Sequence, residues 1–80
     1  MQVIATFETG GYDAWKSAFD TQSEAWSQAG LTLLQLWRSI DAPDRAVALF
    51  ECGNRAAAEG WLHRQSALHG TVTTEFLRTA

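Results

Sequence analysis

The side chains best suited to acid and base chemistry include two histidines. His63 and His69 are the only imidazoles in the chain. The two histidines are six positions apart, which corresponds to a rotation of about 600° around a helix. They therefore do not share one helix face, as two metal ligands four positions apart would. We therefore expect no metal site. His63, next to Trp61 and Leu62, is the better candidate for a general base or a ligand contact, and a surface or helix-end histidine is the alternative for both.

Three glutamates form the second group with possible chemistry. Glu8, Glu51 and Glu75 lie in segments that we predict to be strands, and they could point into one space where a carboxylate acts as a base. Salt bridges with arginines on neighbouring strands are the alternative. No catalytic residue is assigned from these patterns, and the candidates are His63, Glu51 and Glu8.

A third group could form the walls of a small-molecule pocket. Trp37 and Gln35 combine an aromatic surface with a hydrogen-bonding neighbour, which is typical of such pockets. Trp37 filling the core of a dimer is the alternative. No Walker loop, dinucleotide-binding glycine pattern or Ser-His-Asp signature is present, so no cofactor is expected. The candidate ligand-binding residues are Thr6, Gln35, Trp37, Arg38 and Trp61.

Hydrophobic periodicity predicts the elements that position these side chains. Alternation predicts strands over 2–9, 31–40, 45–52 and 71–79. Apolar spacings of three and four predict helices over 12–29 and 55–69, the first closed by Gly30 and the second capped by Asn54 and closed by Gly70. Gly60, inside the second helix, indicates either a close approach to a neighbour or a cost of about 1 kcal/mol.

The second strand is apolar on both faces. Strict alternation places Leu31, Leu33 and Trp37 on one face and Leu34, Leu36 and Ile40 on the other. We expect both faces to be covered.

The order strand, helix, strand, strand, helix, strand predicts an α+β fold of the ferredoxin-like βαββαβ type. In that arrangement the first and third strands are central in a four-stranded antiparallel sheet, and both helices cover one face. The other face would expose more apolar surface than a soluble monomer normally tolerates. We therefore expect the sheets of two copies to pack face to face.

Length and composition restrict the possible partners and the location. Eighty residues fit a single domain, 1–80, and four tryptophans supply more aromatic surface than so small a monomer readily buries, which favours a homodimer. The net charge of −3 excludes a basic surface for nucleic acid, and no apolar run is long enough for a membrane helix. The single cysteine, Cys52, cannot form an internal disulfide, which favours the cytoplasm.

Several short segments resemble a known superfamily. They are YDAWK at 12–16, FD at 19–20, AGL at 29–31, WRS at 37–39, DAPD at 41–44 and LFE at 49–51. The chain resembles the dimeric α+β barrel superfamily, in particular small uncharacterised relatives of the antibiotic biosynthesis monooxygenases. The resemblance implies two sheets packed face to face and a pocket, between sheet and helices, for an apolar and often aromatic molecule.

The same resemblance implies a range of activities. Haem-degrading members share an asparagine on the first strand and a tryptophan and histidine on the second helix. Here Trp61 stands with His63 or His69, but Thr6 or Ile4 occupies the place of the asparagine, so haem degradation is not expected.

The function expected from these observations is that of a cytoplasmic homodimer that binds a small apolar molecule. It would act as a cofactor-independent monooxygenase, isomerase or cyclase. The alternatives are a non-catalytic structural or regulatory dimer module with a filled core, and a subunit that docks on a larger partner through an edge strand.

Overall fold

Seven elements build a small α+β domain around a four-stranded antiparallel sheet. The computed structural model describes residues 1–69 and 71–80, with the backbone alone for Leu68 and His69. The predicted closure by Gly70 and the environment of the His69 side chain lie outside the described residues. The elements are β1 (Gln2–Glu8), α1 (Tyr12–Thr21), α2 (Ser23–Gln28), β2 (Leu31–Arg38), β3 (Arg45–Cys52), α3 (Arg55–His69) and β4 (Val72–Leu77).

The strand order in the sheet is β2-β3-β1-β4. The prediction that β1 and β3 are central and that β2 and β4 form the edges is therefore confirmed. All three neighbouring pairs of strands are antiparallel. None of the helices in the described part of the chain combines the length and apolarity needed to cross a bilayer.

The predicted single helix over 12–29 is wrong, because two helices meet at Gln22. The backbone N–H of Gln22 lies within hydrogen-bond distance of both the Ala18 and the Phe19 carbonyl oxygens, at 3.2 and 3.1 Å. The Thr21 hydroxyl also donates to the Ala18 oxygen, at 2.8 Å. Back-bonding of this kind competes with the regular helical ladder. Hydrophobic spacing did not reveal the break, because the stripe of Trp15, Phe19 and Trp26 continues across it.

The predicted faces of β2 are partly wrong, because the strand contains a β-bulge. Leu33 pairs with Phe50 and Gln35 pairs with Leu49, so Leu34 is an extra residue in the strand. A bulge shifts the alternation by one position. Leu36 therefore joins Leu31 and Leu33 on the helix side, whereas Trp37 lies on the opposite face. The strand also ends at Arg38, two residues earlier than predicted.

Aromatic rings fill the space between the sheet and the helices. Phe7 from β1 and Phe50 from β3 contact rings of the helices, with Phe7 and Trp15 centroids 5.0 Å apart and Phe50 and Trp61 centroids 6.3 Å apart. The same core contains small residues that are fully buried, namely Ala5, Ala46 and Ala48 of the sheet and Ala58 of α3.

Two helix ends that were predicted from capping residues are confirmed, namely the start of α3 and the end of α2. The Asn54 side-chain oxygen accepts a hydrogen bond from the Ala57 backbone N–H at 3.1 Å, as an N-cap does. Gly30 follows α2 with φ of +79°, the left-handed conformation that favours glycine. Its position is also crowded, because an added Cβ would lie 3.1 Å from the Asn54 backbone nitrogen.

Candidate functional site

The sheet face opposite the helices, which we call the open face, collects several predicted site residues. Residues that pair directly across antiparallel strands share a face. The pairing therefore forms three rows across the sheet, with the Glu8–Arg45 pair beyond the first row. The rows are Thr73, Thr6, Val47 and Trp37; then Glu75, Ile4, Leu49 and Gln35; then Leu77, Gln2, Glu51 and Thr32.

The open face has an uncharged centre. Ile4, Val47 and Leu49 are only half-buried, because the described helices lie on the other side of the sheet. At the β2 edge, Trp37 is 47% exposed and the neighbouring bulge residue Leu34 is 51% exposed. Together with Ile4, Val47 and Leu49, Trp37 forms a contiguous apolar patch, and exposed patches of this kind commonly mark an interaction surface.

Charged side chains at two borders of the open face are already paired. Arg45 Nε lies 2.6 Å from Glu8 Oε1. At the other end, Glu51 accepts a hydrogen bond from the Gln2 side-chain amide and lies 3.4 Å from the Met1 amino group. The alternative of a salt bridge to an arginine therefore describes Glu8, whereas Glu51 pairs with the Met1 amino group and with Gln2 instead.

Glu75 and Gln35 occupy the two ends of the middle row. Both side chains are exposed, and neither forms a hydrogen bond or ion pair with another side chain or backbone group in the described ranges. Neighbouring strands are about 4.8 Å apart, so the two residues lie about 14 Å from each other across the sheet. Each is free to bind a group that approaches the open face.

His63 lies on the other side of the sheet, away from Glu8 and Glu51. It is exposed on α3 and lines a cleft of about 240 Å³ between α3 and β4. Sequence reasoning missed the polar residues Glu59 and Ser66 of this cleft. Their spacing of four and three residues around His63 places all three on one helix face and could have revealed them. The three catalytic candidates thus do not meet in one site.

Two of the five candidate ligand-binding residues have structural contacts away from the open face. The Arg38 guanidinium lies 4.3 Å from the centre of the Tyr12 ring, and its Nε donates to the Pro43 carbonyl oxygen at 2.6 Å. These contacts hold the β2–β3 hairpin against the start of α1. Trp61 is 2% exposed and packs in the core against Phe50. The open face retains Thr6, Gln35 and Trp37.

The place where the resemblance implies a pocket contains packed aromatic rings. Trp15 and Phe19 stack at 4.9 Å, and Trp26 contacts both Phe19 and Phe50 at 5.7 Å. The Trp26 indole N–H is buried there without a hydrogen-bond partner among the described residues. Aromatic side chains therefore occupy the space between the sheet and the helices.

These features define a small α+β domain with one covered and one open sheet face. Comparison of the chain with protein families, with curated proteins and with solved structures finds no match. Within residues 1–69 and 71–80, no three histidine, cysteine or acidic side chains are grouped as metal ligands would be.

Proposed function

We propose that the protein functions as a ferredoxin-like homodimer that assembles through its open faces and holds a small apolar molecule between the two sheets. The observation that carries this proposal is the position of Trp37. Its side chain is 47% exposed on a sheet face that also presents Thr6 and Gln35, two of the other predicted ligand-binding residues.

The distribution of charge supports assembly through this face. Its centre consists of uncharged side chains, and the Glu8–Arg45 ion pair at one border neutralises its own charge within one copy. Two such faces can approach without placing an unpaired charge in the centre of the interface. A second copy also covers part of the Trp37 ring that is exposed in one copy.

Binding would use three kinds of side chain at the interface. The Trp37 ring would contact an apolar or aromatic ligand, while the Thr6 hydroxyl and the Gln35 side-chain carbonyl oxygen would form hydrogen bonds that orient it. Glu75 lies in the middle row of the same face, and Glu8 and Glu51 lie at its borders, so these three are the carboxylates available to such a ligand. A monooxygenase, isomerase or cyclase reaction would depend on them, since His63 lies behind the sheet.

A second candidate function is a non-catalytic dimer module with no ligand. The filled protomer core favours it, because aromatic rings occupy the space that the resemblance assigns to a pocket. Both candidates require the same dimer and differ in whether the interface retains a small molecule.

Native mass spectrometry of protein purified gently from its own source distinguishes the two candidates. A dimer of two 8.8 kDa chains with additional bound mass supports the binding function and gives the mass of the ligand. A dimer without additional mass supports the module. A monomer at micromolar concentration contradicts both, because each depends on assembly through the open face.

A further inference from the structure

The charges of the open face distinguish between two ways of pairing two copies. When a two-fold axis relates two facing sheets, it lies in the plane between them. The axis can run along the strands, so that each row faces the same row of the second copy with its order reversed. It can also run across the strands along the middle row, so that every strand faces itself.

An axis across the strands places incompatible groups opposite each other. Glu75 would then face Glu75 of the second copy at the edge of the interface. Val47 would face Glu51 of the second copy, which sets an apolar side chain against a carboxylate. Like charges in apposition and desolvated carboxylates both weaken association.

An axis along the strands, between β1 and β3, gives complementary contacts. Gln35 on β2 would face Glu75 on β4 of the second copy, and Leu49 would face Ile4. Arg45 would face Glu8 of the second copy, and it already forms an ion pair with Glu8 of its own copy. Each of these contacts occurs twice in the dimer, because the interface is two-fold symmetric.

We propose that the second copy docks with the two-fold axis along the strands, so that the Gln35 amide of each copy donates to the Glu75 carboxylate of the other. This inference rests on the proposed homodimer and adds its geometry. Aligned sheets stack about 10 Å apart and rotate by about 30°, which displaces facing edge residues by about 4 Å. Glutamine and glutamate side chains are long enough to meet across that distance.

A lysine substitution at Gln35 tests the axis directly by sedimentation equilibrium at low salt. With the axis along the strands, Gln35→Lys places two lysines opposite two glutamates. We then expect the dimer Kd to decrease by a factor of about 2 to 30. With the axis across the strands, the introduced lysines face each other and the Kd rises. A rise, or a change smaller than 2-fold, overturns the proposed axis.

Two further variants separate this contact from a general effect of charge. Gln28→Lys makes the same charge change at an exposed site on α2, on the helix side of the sheet, and we expect a Kd within about 2-fold of the original. Gln35→Glu is expected to raise the Kd, and adding Glu75→Lys to it is expected to restore dimerisation. Failure of this rescue contradicts the axis.

Cross-linking provides a test that does not depend on charge. Cys52 is only 3% exposed, so new surface cysteines are the main targets of a bismaleimide that spans about 10 Å. We expect a mixture of Gln35→Cys and Glu75→Cys proteins to cross-link more efficiently than either protein alone. Stronger cross-linking of the separate proteins overturns the axis while leaving the homodimer intact, whereas a monomeric original protein refutes the proposed function itself.

Discussion

Replacing Trp37 by alanine is the most direct test of the open face as an interface. The Trp37 side chain is 47% exposed, and a tryptophan can bury up to about 250 Å², so roughly 120 Å² per copy remains available. A symmetric dimer can cover about twice that area. At about 25 cal/mol per Å², complete covering corresponds to about 6 kcal/mol.

The measured loss should be smaller than this upper value. Association also orders side chains, and alanine retains part of the contact, so we expect Trp37→Ala to weaken dimerisation by about 2 to 4 kcal/mol. Each 1.4 kcal/mol corresponds to a tenfold change in Kd, which gives a rise of at least roughly 30-fold. Sedimentation equilibrium over a dilution series measures this change.

Ile40→Ala is the matched control. Ile40 is 95% exposed but follows β2 in the connection to β3 and belongs to none of the three rows of the open face. We expect its Kd to stay within about 3-fold of the original, because removing exposed apolar surface outside an interface has little effect. If both variants retain the native circular dichroism spectrum and Trp37→Ala dimerises as before, the open face is not the interface.

Three further predictions concern the helical layer, each measured by urea or thermal unfolding. Gly60→Ala should stabilise the protein by about 1 kcal/mol and raise the melting temperature by about 4 to 8 °C, because alanine favours a helix more than glycine does. The added Cβ would meet only the Arg64 guanidinium, at 3.5 Å. A loss of stability would indicate a constraint on this helix that the contacts do not show. Gly30→Ala should destabilise the protein more than Gly10→Ala does. Both glycines have positive φ, but only a methyl group at position 30 would crowd Asn54. Equal losses of stability would contradict the effect of crowding. Asn54→Ala should cost about 0.5 to 2 kcal/mol through loss of the α3 cap, whereas Asn54→Asp should retain most of that stability.

Most element positions could be predicted because they depend on local chemistry. Alternation of apolar residues identified β1 and β3 almost to the residue, and Asn54 identified the start of α3. The break at Gln22 could not be predicted in the same way. The hydrophobic stripe on which the prediction relied continues through the break, where the Thr21 hydroxyl donates to the Ala18 carbonyl oxygen.

The candidate site was predictable only in part. Thr6, Gln35 and Trp37 do share one face, but Arg38 packs on Tyr12 and Trp61 is buried in the core. Residue types indicated that these side chains could bind a ligand. Their common location depends on strand register and on which face the helices cover, and both are set by pairings between residues far apart in the chain.

The sequence by itself determined the class of elements, their order and the amphipathic stripe that becomes the core, because these follow from periodicity and capping within short segments. Only the tertiary structure decided where Trp37 points. A single extra residue, Leu34, is accommodated as a bulge when β2 pairs with β3, and this turns Leu36 to the helices and Trp37 to the open face. The physical reason is that a one-residue shift in register reverses the face of every later side chain, and register is set by the paired strand.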